Sequence, residues 1–339
     1  MSSNPQIRNL GEIKVINLIK DLILKKTGNE LISDDSFFFN LEDIKQSESL
    51  VLNSDMLVSR TDVPPQMNPY QIGRKSVIMN LSDLLVKGVI PRGIIISFGL
   101  PRDLRKDKFI DLMFGIIDST LNFNLKYIGG DINETEDLII NPTVFGFKVP
   151  SNIIYRKGIM PNDILAINKK FGLTGVGFDI LLNRKEDLLN SRKYKRSIQS
   201  VLEPHIEGIE ALILSERKLA TSSIDSSDGL AKSLRDLMLS NQNSGFEINF
   251  DDNLIDTEAV MYSEEFNINL EDLIFNGGEE YIHLFTIRPQ DFSDAKKLIQ
   301  DKGGDLFEIG KVISEESIYI LKENRKSELK SNGFEHFNK

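Results

Sequence analysis

The sequence predicts a two-domain protein of mixed α/β (α+β) class. Its 339 residues are enough for two hydrophobic cores at about 150 residues per domain. Short apolar runs of strand length, such as residues 93–98, alternate with longer runs of helical apolar spacing, such as residues 10–26. Residues 150–158 begin with proline, end with glycine and fit a crossover. We therefore expect one α/β domain at 1–150 and a second at 151–339.

The first half is predicted to contain helices and strands in turn. Helices are expected at residues 10–26, 71–88 and 104–121, and strands near residues 36–39, 49–52, 93–98, 125–128 and 138–148. The helix over 71–88 is expected to be largely buried, because its second half is mostly apolar. Gly88 and Pro91 would end this helix, because both residue types interrupt helices.

The second half shows the same alternation. Strands are expected near residues 164–168, 221–224, 246–249, 281–287, 307–312 and 317–321, with helices over 178–215 and 229–240. A glycine-punctuated turn is expected at 172–177. Such alternation is typical of layered α/β folds, and it completes the case for two domains.

The amino-acid composition limits the chemistry that the protein can perform. The sequence contains no cysteine and three histidines, which are far apart in sequence. The lack of cysteine excludes disulfide bonds, thiolate zinc sites, iron–sulfur clusters and cysteine nucleophiles. The few histidines argue against a transition-metal site built on imidazole. A bound metal ion would therefore be held by oxygen atoms, which favours Mg²⁺ or Ca²⁺.

The net charge and hydropathy exclude two kinds of partner. A formal net charge of −10 argues against non-specific binding of nucleic acid, which needs a basic surface. No apolar stretch reaches the ~18 residues of a membrane span, so we expect no membrane partner. The first residues lack the basic and apolar regions of a signal peptide, so we expect a cytoplasmic protein.

Asp83 is the most informative of several acidic residues placed beside apolar segments. It lies in the predicted helix over 71–88, where Asn80, Asp83 and Lys87 share one face and the remaining residues are mostly apolar. A carboxylate in such surroundings is costly without a partner, and a bound cation is one partner that stabilises it. The alternative is an intrahelical ion pair with Lys87 at i+4, and the motif alone does not choose between the two.

Two further motifs also allow two interpretations. Gly129-Gly130-Asp131 follows a predicted strand, so it fits either a plain turn or a turn in which glycine backbone approaches a phosphate. Asp225-Ser226-Ser227-Asp228-Gly229 precedes a predicted helix and fits either an N-cap cluster or a metal-binding turn. Taken together, turn aspartates, glycine-rich turns and the absence of cysteine favour a Mg²⁺–phosphate site. There is no G-x-x-x-x-G-K-[ST] sequence, so this is not a P-loop enzyme.

In chain order, the motifs resemble those of the thiamine-monophosphate kinase family, which belongs to the aminoimidazole-ribonucleotide-synthetase-like superfamily. The matching segments are Leu10-Gly11-Glu12, Asp34-Asp35, Ser54-Asp55-Met56-Leu57-Val58, Asn80-Leu81-Ser82-Asp83, Gly129-Gly130-Asp131, Asp225-Ser226-Ser227-Asp228-Gly229-Leu230, Gly277-Gly278-Glu279-Glu280-Tyr281 and Gly333-Phe334-Glu335-His336-Phe337. Together they span nearly the whole chain in the order of the family.

The resemblance implies a fold, an assembly and an activity. The fold is the two-domain fold of the superfamily, with metal and ATP motifs in the first domain. The N-terminal sheets of two subunits would pair into an intersubunit β-barrel, giving a homodimer. The activity is ATP-dependent phosphorylation of thiamine monophosphate to thiamine diphosphate, with ATP as co-substrate and several Mg²⁺ ions.

The resemblance also implies roles for individual residues. The implied metal ligands are Asp35, Ser54, Asp55, Asp83, Asp131, Asp225 and Asp228. The implied ATP contacts are Gly130, Asp131, Arg156 and Ser227, and the implied substrate contacts are Asp62, Glu279 and Phe334. Asp62 stands where many members have histidine, so we expect it to hydrogen-bond the aminopyrimidine rather than stack on it. No catalytic general base is expected.

Two alternatives remain open at the level of sequence. One is another ATP-using member of the superfamily, similar to aminoimidazole ribonucleotide synthetase, although the glycine-rich motifs fit that enzyme poorly. The other is a non-catalytic metabolite-binding homologue, against which the retained acidic residues argue. The absence of cysteine excludes the cysteine-dependent chemistry of selenophosphate synthetase and of the hydrogenase-maturation dehydratase.

Overall fold

The computed structural model describes residues 6–31, 45, 47–184, 188–323, 325–331 and 333. Asp35, Phe334 and the strand expected at 36–39 lie outside the described residues. The chain divides into two compact units. The first comprises Met1–Leu84 and Val89–Pro150, and the second comprises Leu85–Gly88 and Ser151–Lys339.

The first unit combines one mixed sheet with helices. Its described elements are α1 (Ile7–Leu10), α2 (Glu12–Thr27), β1 (Ser49–Ser54), β2 (Leu57–Val58), α3 (Ser59–Asp62), α4 (Pro69–Leu85), β3 (Pro91–Leu100), α5 (Lys106–Asn122), β4 (Lys126–Glu134) and β5 (Ile139–Lys148). The sheet order is β1-β5-β3-β4, and β2 also pairs with β5. Strands β3 and β4 are parallel and α5 connects them, as a parallel pair requires a crossover; the other pairs are antiparallel.

One face of this sheet is buried beneath helix α5. Along β3, Ile94, Ile96 and Phe98 are buried and recur at every second residue, which is the spacing of one strand face. The ring of Phe98 meets the ring of Phe109 in α5 edge-on, with centroids 6.1 Å apart. Apolar residues recur along α5 at helical spacing, so this helix presents one apolar stripe to the strands.

The opposite face of the same sheet exposes large apolar side chains, and we call it the outer face. It comprises the exposed Leu50, Leu52 and Ile95, the half-buried Phe147 and the buried Phe145. Leu50 is paired across the strands with Phe147 and Leu52 with Phe145. The side chains of Leu50 and Leu52 remain 53% and 59% exposed. Cross-strand partners lie on the same face, so these residues form one continuous apolar surface.

The second unit is built on a seven-stranded sheet. Its described elements are β6 (Ile164–Ile167), α6 (Leu173–Asn183), α7 (Lys195–Leu202), α8 (Ile209–Arg217), β7 (Ala220–Ser226), α9 (Leu230–Ser240), β8 (Gly245–Asn249), α10 (Thr257–Phe266), α11 (Leu270–Phe275), β9 (Ile282–Ile287), α12 (Pro289–Gln300), β10 (Phe307–Ile313), β11 (Ile318–Lys322) and β12 (Arg325–Glu328). The strand order is β12-β11-β8-β10-β6-β9-β7. Strands β8 and β11 are parallel and the other neighbours are antiparallel.

Helices cover both faces of this second sheet. Leu165 and Ile167 of β6 belong to the larger apolar cluster, which includes residues of α6, α9, α10 and α11. Ala166, between them, belongs to a smaller cluster with Leu214 of α8 and Ile299 of α12. A strand buried on both faces is a continuous apolar run rather than an alternating one. This is why the short apolar segments of the second half are recognisable as strands.

Most predicted elements are present, and the exceptions have physical reasons. The strands expected near 93–98, 138–148, 221–224 and 307–312 correspond to β3, β5, β7 and β10. Helices α10, α11 and α12 were not predicted, because polar and acidic residues interrupt their apolar positions. Strand β12 was not predicted because all four of its residues are exposed. Among the described residues, no helix is both long enough and apolar enough to span a membrane.

The turn predicted at Gly129-Gly130-Asp131 is wrong, because these residues lie inside β4. Gly130 is paired with Ile96 of β3, and Asp131 is paired with Ser97. The β3–β4 register shifts immediately before these pairs, which marks a bulge. A Cβ atom on Gly130 would lie 1.8 Å from the carbonyl oxygen of Ile96. Glycine is therefore needed here for the close approach of two strands rather than for a turn.

Candidate functional site

In the first unit, the carboxylates of Asp55 and Asp83 converge on the side-chain amide of Asn53. Nδ2 of Asn53 donates to Oδ2 of Asp83 at 3.0 Å and to Oδ2 of Asp55 at 3.3 Å. Asn53 lies near the end of β1, Asp55 follows that strand, and Asp83 lies near the end of α4. Two acids that are far apart in sequence therefore lie within hydrogen-bonding distance of one nitrogen atom.

Asn80 ties helix α4 to the turn that carries Asp55. Its buried side chain accepts from the backbone N–H of Asp55 at 2.8 Å and donates to the carbonyl oxygen of Asp55 at 3.0 Å. It also donates to the carbonyl oxygen of Ser76 at 3.1 Å. Asparagine can hold both backbone groups of one residue because it has a donor and an acceptor. Asn80 lies one helical turn before Asp83, so it fixes the two acids relative to each other.

Beside its apolar residues, the outer face carries polar residues that extend across the strands towards Asp131. Thr143 donates to the hydroxyl of Ser54 at 2.9 Å, and Ser54 donates to Oδ1 of Asn141 at 3.3 Å. Asn141 is paired with Ser97, which is paired in turn with the exposed Asp131. Asp131 therefore lies about 10 Å from Asn141, which is two strand spacings across the sheet. Ser54 and Asp131 therefore lie at the same polar end of this face, in two neighbouring rows of residues paired across the strands.

Asp62 has a local structural contact. Its Oδ2 accepts from the backbone N–H of Val58 at 2.7 Å, which holds the short helix α3 against β2. The fully buried ammonium group of Lys75 donates to the backbone oxygen of Asp62. These contacts fix the position of Asp62, and its contact with a substrate stays a prediction.

In the second unit, the end of β7 meets the Gly277–Tyr281 segment. Asp225 is buried at the end of β7, where it is paired with His283 of β9. The backbone oxygen of Ser227 accepts from the N–H of Glu279 at 2.6 Å, and that of Ser226 accepts from Tyr281 at 2.9 Å. The structure therefore brings the Asp225-Ser226-Ser227 segment and Glu279 together through backbone hydrogen bonds.

The Gly277–Tyr281 segment has a strained backbone. Glu279 has φ of 60° and Tyr281 has φ of 49°, a region that residues with a side chain seldom adopt. Each such residue costs about 1–3 kcal/mol, and such strain is concentrated at binding and catalytic sites. The carbonyl groups of Ser226, the last residue of β7, and of Ser227, the residue after it, accept hydrogen bonds from this segment and hold it in this conformation.

Arg156 lies on an exposed loop that is attached to β7. The backbone N–H of Ser223 donates to the carbonyl oxygen of Tyr155 at 3.0 Å. Ser223 lies two residues before Asp225 on the same strand, and the side chain of Arg156 is exposed. The loop that carries Arg156 therefore lies beside β7, the strand that contains Asp225.

Two of the alternatives that the sequence left open concern the ends of helices. The N-cap position of α9 is Gly229, which has no side chain, so side-chain capping by that residue does not explain the acidic motif before it. Helix α4 ends at Leu85, so Lys87 lies in the turn that follows the helix. The ammonium group of Lys87 donates to the carbonyl oxygen of Ser223 at 2.5 Å.

The donor set in the first unit fits a hard cation such as Mg²⁺. Asp55 and Asp83 supply carboxylate oxygens, and Asn53 carries an amide oxygen on the same side chain as the bridging nitrogen. Mg²⁺ commonly binds through one or two carboxylates and completes its shell with phosphate oxygens and water. Among the described residues, no group of three or more acidic or histidine side chains forms a metal site by itself. Two carboxylates match the case in which the phosphate supplies further ligands.

The contacts of two asparagine residues, the buried Asn80 and the half-buried Asn53, could not be predicted from the sequence. Asn80 was recognised as part of a motif, and its polar position on a mostly apolar helix was the signal that a partner existed. That its partner is the Asp55 backbone could not be inferred, because this contact joins segments that are far apart in sequence. The bridging role of Asn53 was likewise visible only once β1 and α4 were placed together.

We predict that Asn80→Asp destabilises the protein. The new carboxylate cannot donate to the carbonyl groups of Asp55 and Ser76, and it places a buried negative charge beside Asp55. We expect the free energy of unfolding to fall by about 2–4 kcal/mol, measured by urea denaturation. Asn17→Asp on the exposed face of α2 is the matched control and should change little. Equal stability of the two variants would contradict the role given to Asn80.

The raised pKa of Glu280 predicts that the free energy of unfolding depends on pH. Burial raises the pKa of its carboxyl group from the ordinary 4.5 to about 7, although the N–H groups of Gly172 and Thr174 donate to it. Because the pKa is higher in the folded state, the contribution to stability is full below pH 4.5 and is lost as the pH rises towards 7. Glu280→Gln keeps an acceptor oxygen and should remove this decline, which urea denaturation at pH 5 to 8 checks. The same pH dependence in both proteins would contradict it.

Comparisons with known proteins identify the family. Residues 33–148 match the family model described as AIR synthase related protein, N-terminal domain. The chain is 30% identical over 332 residues to the thiamine-monophosphate kinase of Nitrosopumilus maritimus, with 97% of this chain and 99% of that protein covered. It is 28% identical over 318 residues to the thiamine-monophosphate kinase of Methanocaldococcus jannaschii, with 90% and 94% covered.

The structure is similar over its whole length to that of AaThiL complexed with AMPPCP and TMP. The TM-score is 0.75 at 25% sequence identity, and the match covers 99% of this chain and 100% of the other. The resemblance drawn from the motifs is thereby confirmed, as is the two-sheet α/β fold that it implied. From the motifs, the fold and nearly full-length relatives, this chain belongs to the thiamine-monophosphate kinase family.

Proposed function

We propose that this protein transfers the γ-phosphoryl group of ATP directly to thiamine monophosphate, giving thiamine diphosphate and ADP. The observation that carries the proposal is the convergence of Asp55 and Asp83 on one amide. The family, whose curated members include the relatives named above, supports the acceptor. The bound ligands of AaThiL support the pair of substrates, since AMPPCP is an ATP analogue with a carbon atom between its β- and γ-phosphorus atoms.

The chemistry requires little beyond positioning and charge neutralisation. The nucleophile is a phosphate oxygen of thiamine monophosphate, which is already anionic at neutral pH, so no general base is needed. The barrier arises mainly from repulsion between two polyanions and from in-line alignment. Mg²⁺ supplies charge neutralisation when it is bound. The candidate site residues that the structure describes are accordingly acids, serines and a glycine, together with the exposed Arg156.

Individual residues take their roles in this proposal from their places in each unit. Asp55, Asp83 and Ser54 offer oxygen ligands at the end of β1, and Asp131 and Gly130 lie on β4 beside the polar end of the outer face. Asp225, Asp228 and Ser227 are the corresponding groups in the second unit, where Arg156 would contact the phosphates and Glu279 the thiamine moiety. Asp35, Phe334 and Asp62 retain the roles given by the resemblance, and the division of these roles between domains 1–150 and 151–339 stays a prediction.

We also propose that the protein is a homodimer formed through the outer face. Leu50, Leu52 and Ile95 present an exposed apolar surface on an open sheet, and such patches in a soluble chain are typical of partner-binding sites. Pairing of two such sheets would bury this surface. The expected cytoplasmic location likewise stays a prediction.

The decisive assay measures ADP release from Mg-ATP with thiamine monophosphate, with thiamine, and without an acceptor. The proposal expects turnover only with thiamine monophosphate, and chromatography should identify thiamine diphosphate as the product. ATP binding without phosphorylation of any acceptor would contradict the proposal that thiamine monophosphate is the substrate. It would favour the non-catalytic alternative or another ATP-using member of the superfamily.

We predict that Asp83→Asn or Asp131→Asn lowers kcat by at least about 10³-fold, since each removes a carboxylate that would hold the phosphate-neutralising cation. Both variants should remain folded, which circular dichroism and size-exclusion chromatography check. Asp21→Asn on the exposed side of α2 is the control and should keep full activity. Retention of activity in both site variants would contradict the assignment of Asp83 and Asp131 as metal ligands.

We predict that Leu52→Lys converts the dimer to a monomer, because it places a charge at the centre of the outer face. Light scattering coupled to size-exclusion chromatography measures the mass. Ile13→Lys is the matched control, because Ile13 is a 69% exposed apolar residue elsewhere in the same unit. A mass unaffected by Leu52→Lys, or a wild-type monomer, would overturn the proposed interface.

A further inference from the structure

We propose that Asn241 is a positioning residue that holds the Arg156 loop, residues 155–159, so that the arginine meets the nucleotide phosphates. The inference rests on the proposed function only in taking Arg156 as a phosphate contact. Asn241 is not part of any motif singled out from the sequence. It follows the last residue of α9, at the opposite end of that helix from Asp228 and Gly229.

The side chain of Asn241 forms hydrogen bonds with the loop on both sides of Lys157. Its Nδ2 donates to the carbonyl oxygen of Arg156 at 2.8 Å, and its Oδ1 accepts from the N–H of Gly158 at 2.8 Å. The same Oδ1 lies 3.4 Å from the N–H of Ile159. The second hydrogen of Nδ2 goes to the carbonyl oxygen of Leu237 at 2.8 Å, one turn back in α9. Every donor and acceptor of this amide is therefore used to join the loop to the helix.

The other side of the loop is fixed to β7. Tyr155 is bound through its carbonyl oxygen to Ser223, as described above. Gly158 has φ of 135°, and a Cβ atom there would lie 2.4 Å from the carbonyl oxygen of Thr221. Glycine is thus required for the loop to lie this close to the strand. The backbone of the loop is held between β7 and Asn241.

The side chains of the same loop are left accessible. Tyr155, Arg156 and Lys157 are all exposed, whereas Ile159 is buried and anchors the end of the loop. An arginine on a fixed backbone loses less conformational entropy when it binds a phosphate than an arginine on a loose loop. The arrangement is therefore suited to an anion contact that is prepared before the ligand arrives.

Because of where these hydrogen bonds lie, a positioning role of Asn241 can be distinguished from a role in the stability of the fold. The bonds from Asn241 to Arg156 and Gly158 are exposed to solvent, so water can replace them when the side chain is removed. Loss of Asn241 should consequently free the loop while the fold of the second unit is retained. A residue that served only to end α9 would affect stability without affecting ligand affinity.

The test is calorimetric titration of Mg-AMPPCP into the wild-type chain, Asn241→Ala, Arg156→Ala, the double variant and Gln242→Ala. Direct binding is used so that the result does not depend on the acceptor. We expect Asn241→Ala and Arg156→Ala each to weaken binding by about tenfold, which is typical for the loss of one charge-assisted contact. The double variant should bind no more weakly than Arg156→Ala, because Asn241 acts through that residue. Gln242, an exposed neighbour, is the control and should have no effect.

Three results would overturn the inference. Additive losses in the double variant would show that Asn241 acts independently of Arg156. Unchanged affinity in Asn241→Ala with a lowered melting temperature would show a structural cap only. Unchanged affinity in Arg156→Ala would remove the phosphate contact itself, and with it any positioning role. None of these depends on the identity of the acceptor, which the ADP-release assay tests separately.

Discussion

The sharing of one amide by the carboxylates of Asp55 and Asp83 is the constraint on which the account of this protein depends. Two like charges held close together repel each other, so a fold that brings them together must compensate for them. Here Asn53 supplies donor hydrogens between them, and Asn80 fixes the backbone that carries one acid to the helix that carries the other. These hydrogen bonds offset part of the repulsion, and each carboxylate has a second oxygen atom that a cation can use. This is the property expected of a site that recruits metal together with phosphate.

In the second unit, backbone hydrogen bonds rather than a shared amide between two acids hold the candidate site residues in place. The end of β7 accepts hydrogen bonds from a strained segment at Glu279 and Tyr281, and Asn241 attaches an arginine loop to the far end of α9. In both units a buried or fully used asparagine joins a rigid element to a loop that carries a charged side chain. Asparagine suits this role because one side chain satisfies both an N–H and a carbonyl group without adding charge.

Much of the fold could be predicted from the sequence, because burial leaves a periodic pattern. The apolar runs of β3 and β6 have the length of strands and predict strands, and the helical spacing of apolar residues predicts α5. Helices α10 to α12 are short, with 10, 6 and 12 residues, and were missed. Gly129 and Gly130 were taken for a turn, because glycine also permits the close approach of two strands and local sequence does not distinguish the two uses.

The site was predictable as a set of residue types but not as an arrangement. Acidic residues beside apolar segments indicated oxygen-based metal chemistry, and the order of the motifs indicated the family. The contacts of Asn53, Asn80 and Asn241 join segments that are distant in sequence, so no local pattern reveals them. The roles of Asp35 and Phe334 still rest on the resemblance alone.

The most direct test of the central claim is calorimetric titration of AMPPCP into the protein in Mg²⁺ and, separately, in excess EDTA. If the acids bind the nucleotide through a cation, affinity should fall by at least about a hundredfold in EDTA, since uncompensated carboxylates repel phosphate. Equal affinity under the two conditions would mean that the nucleotide binds without a bridging cation. The convergence of Asp55 and Asp83 would then be a structural feature of the first unit rather than a metal site.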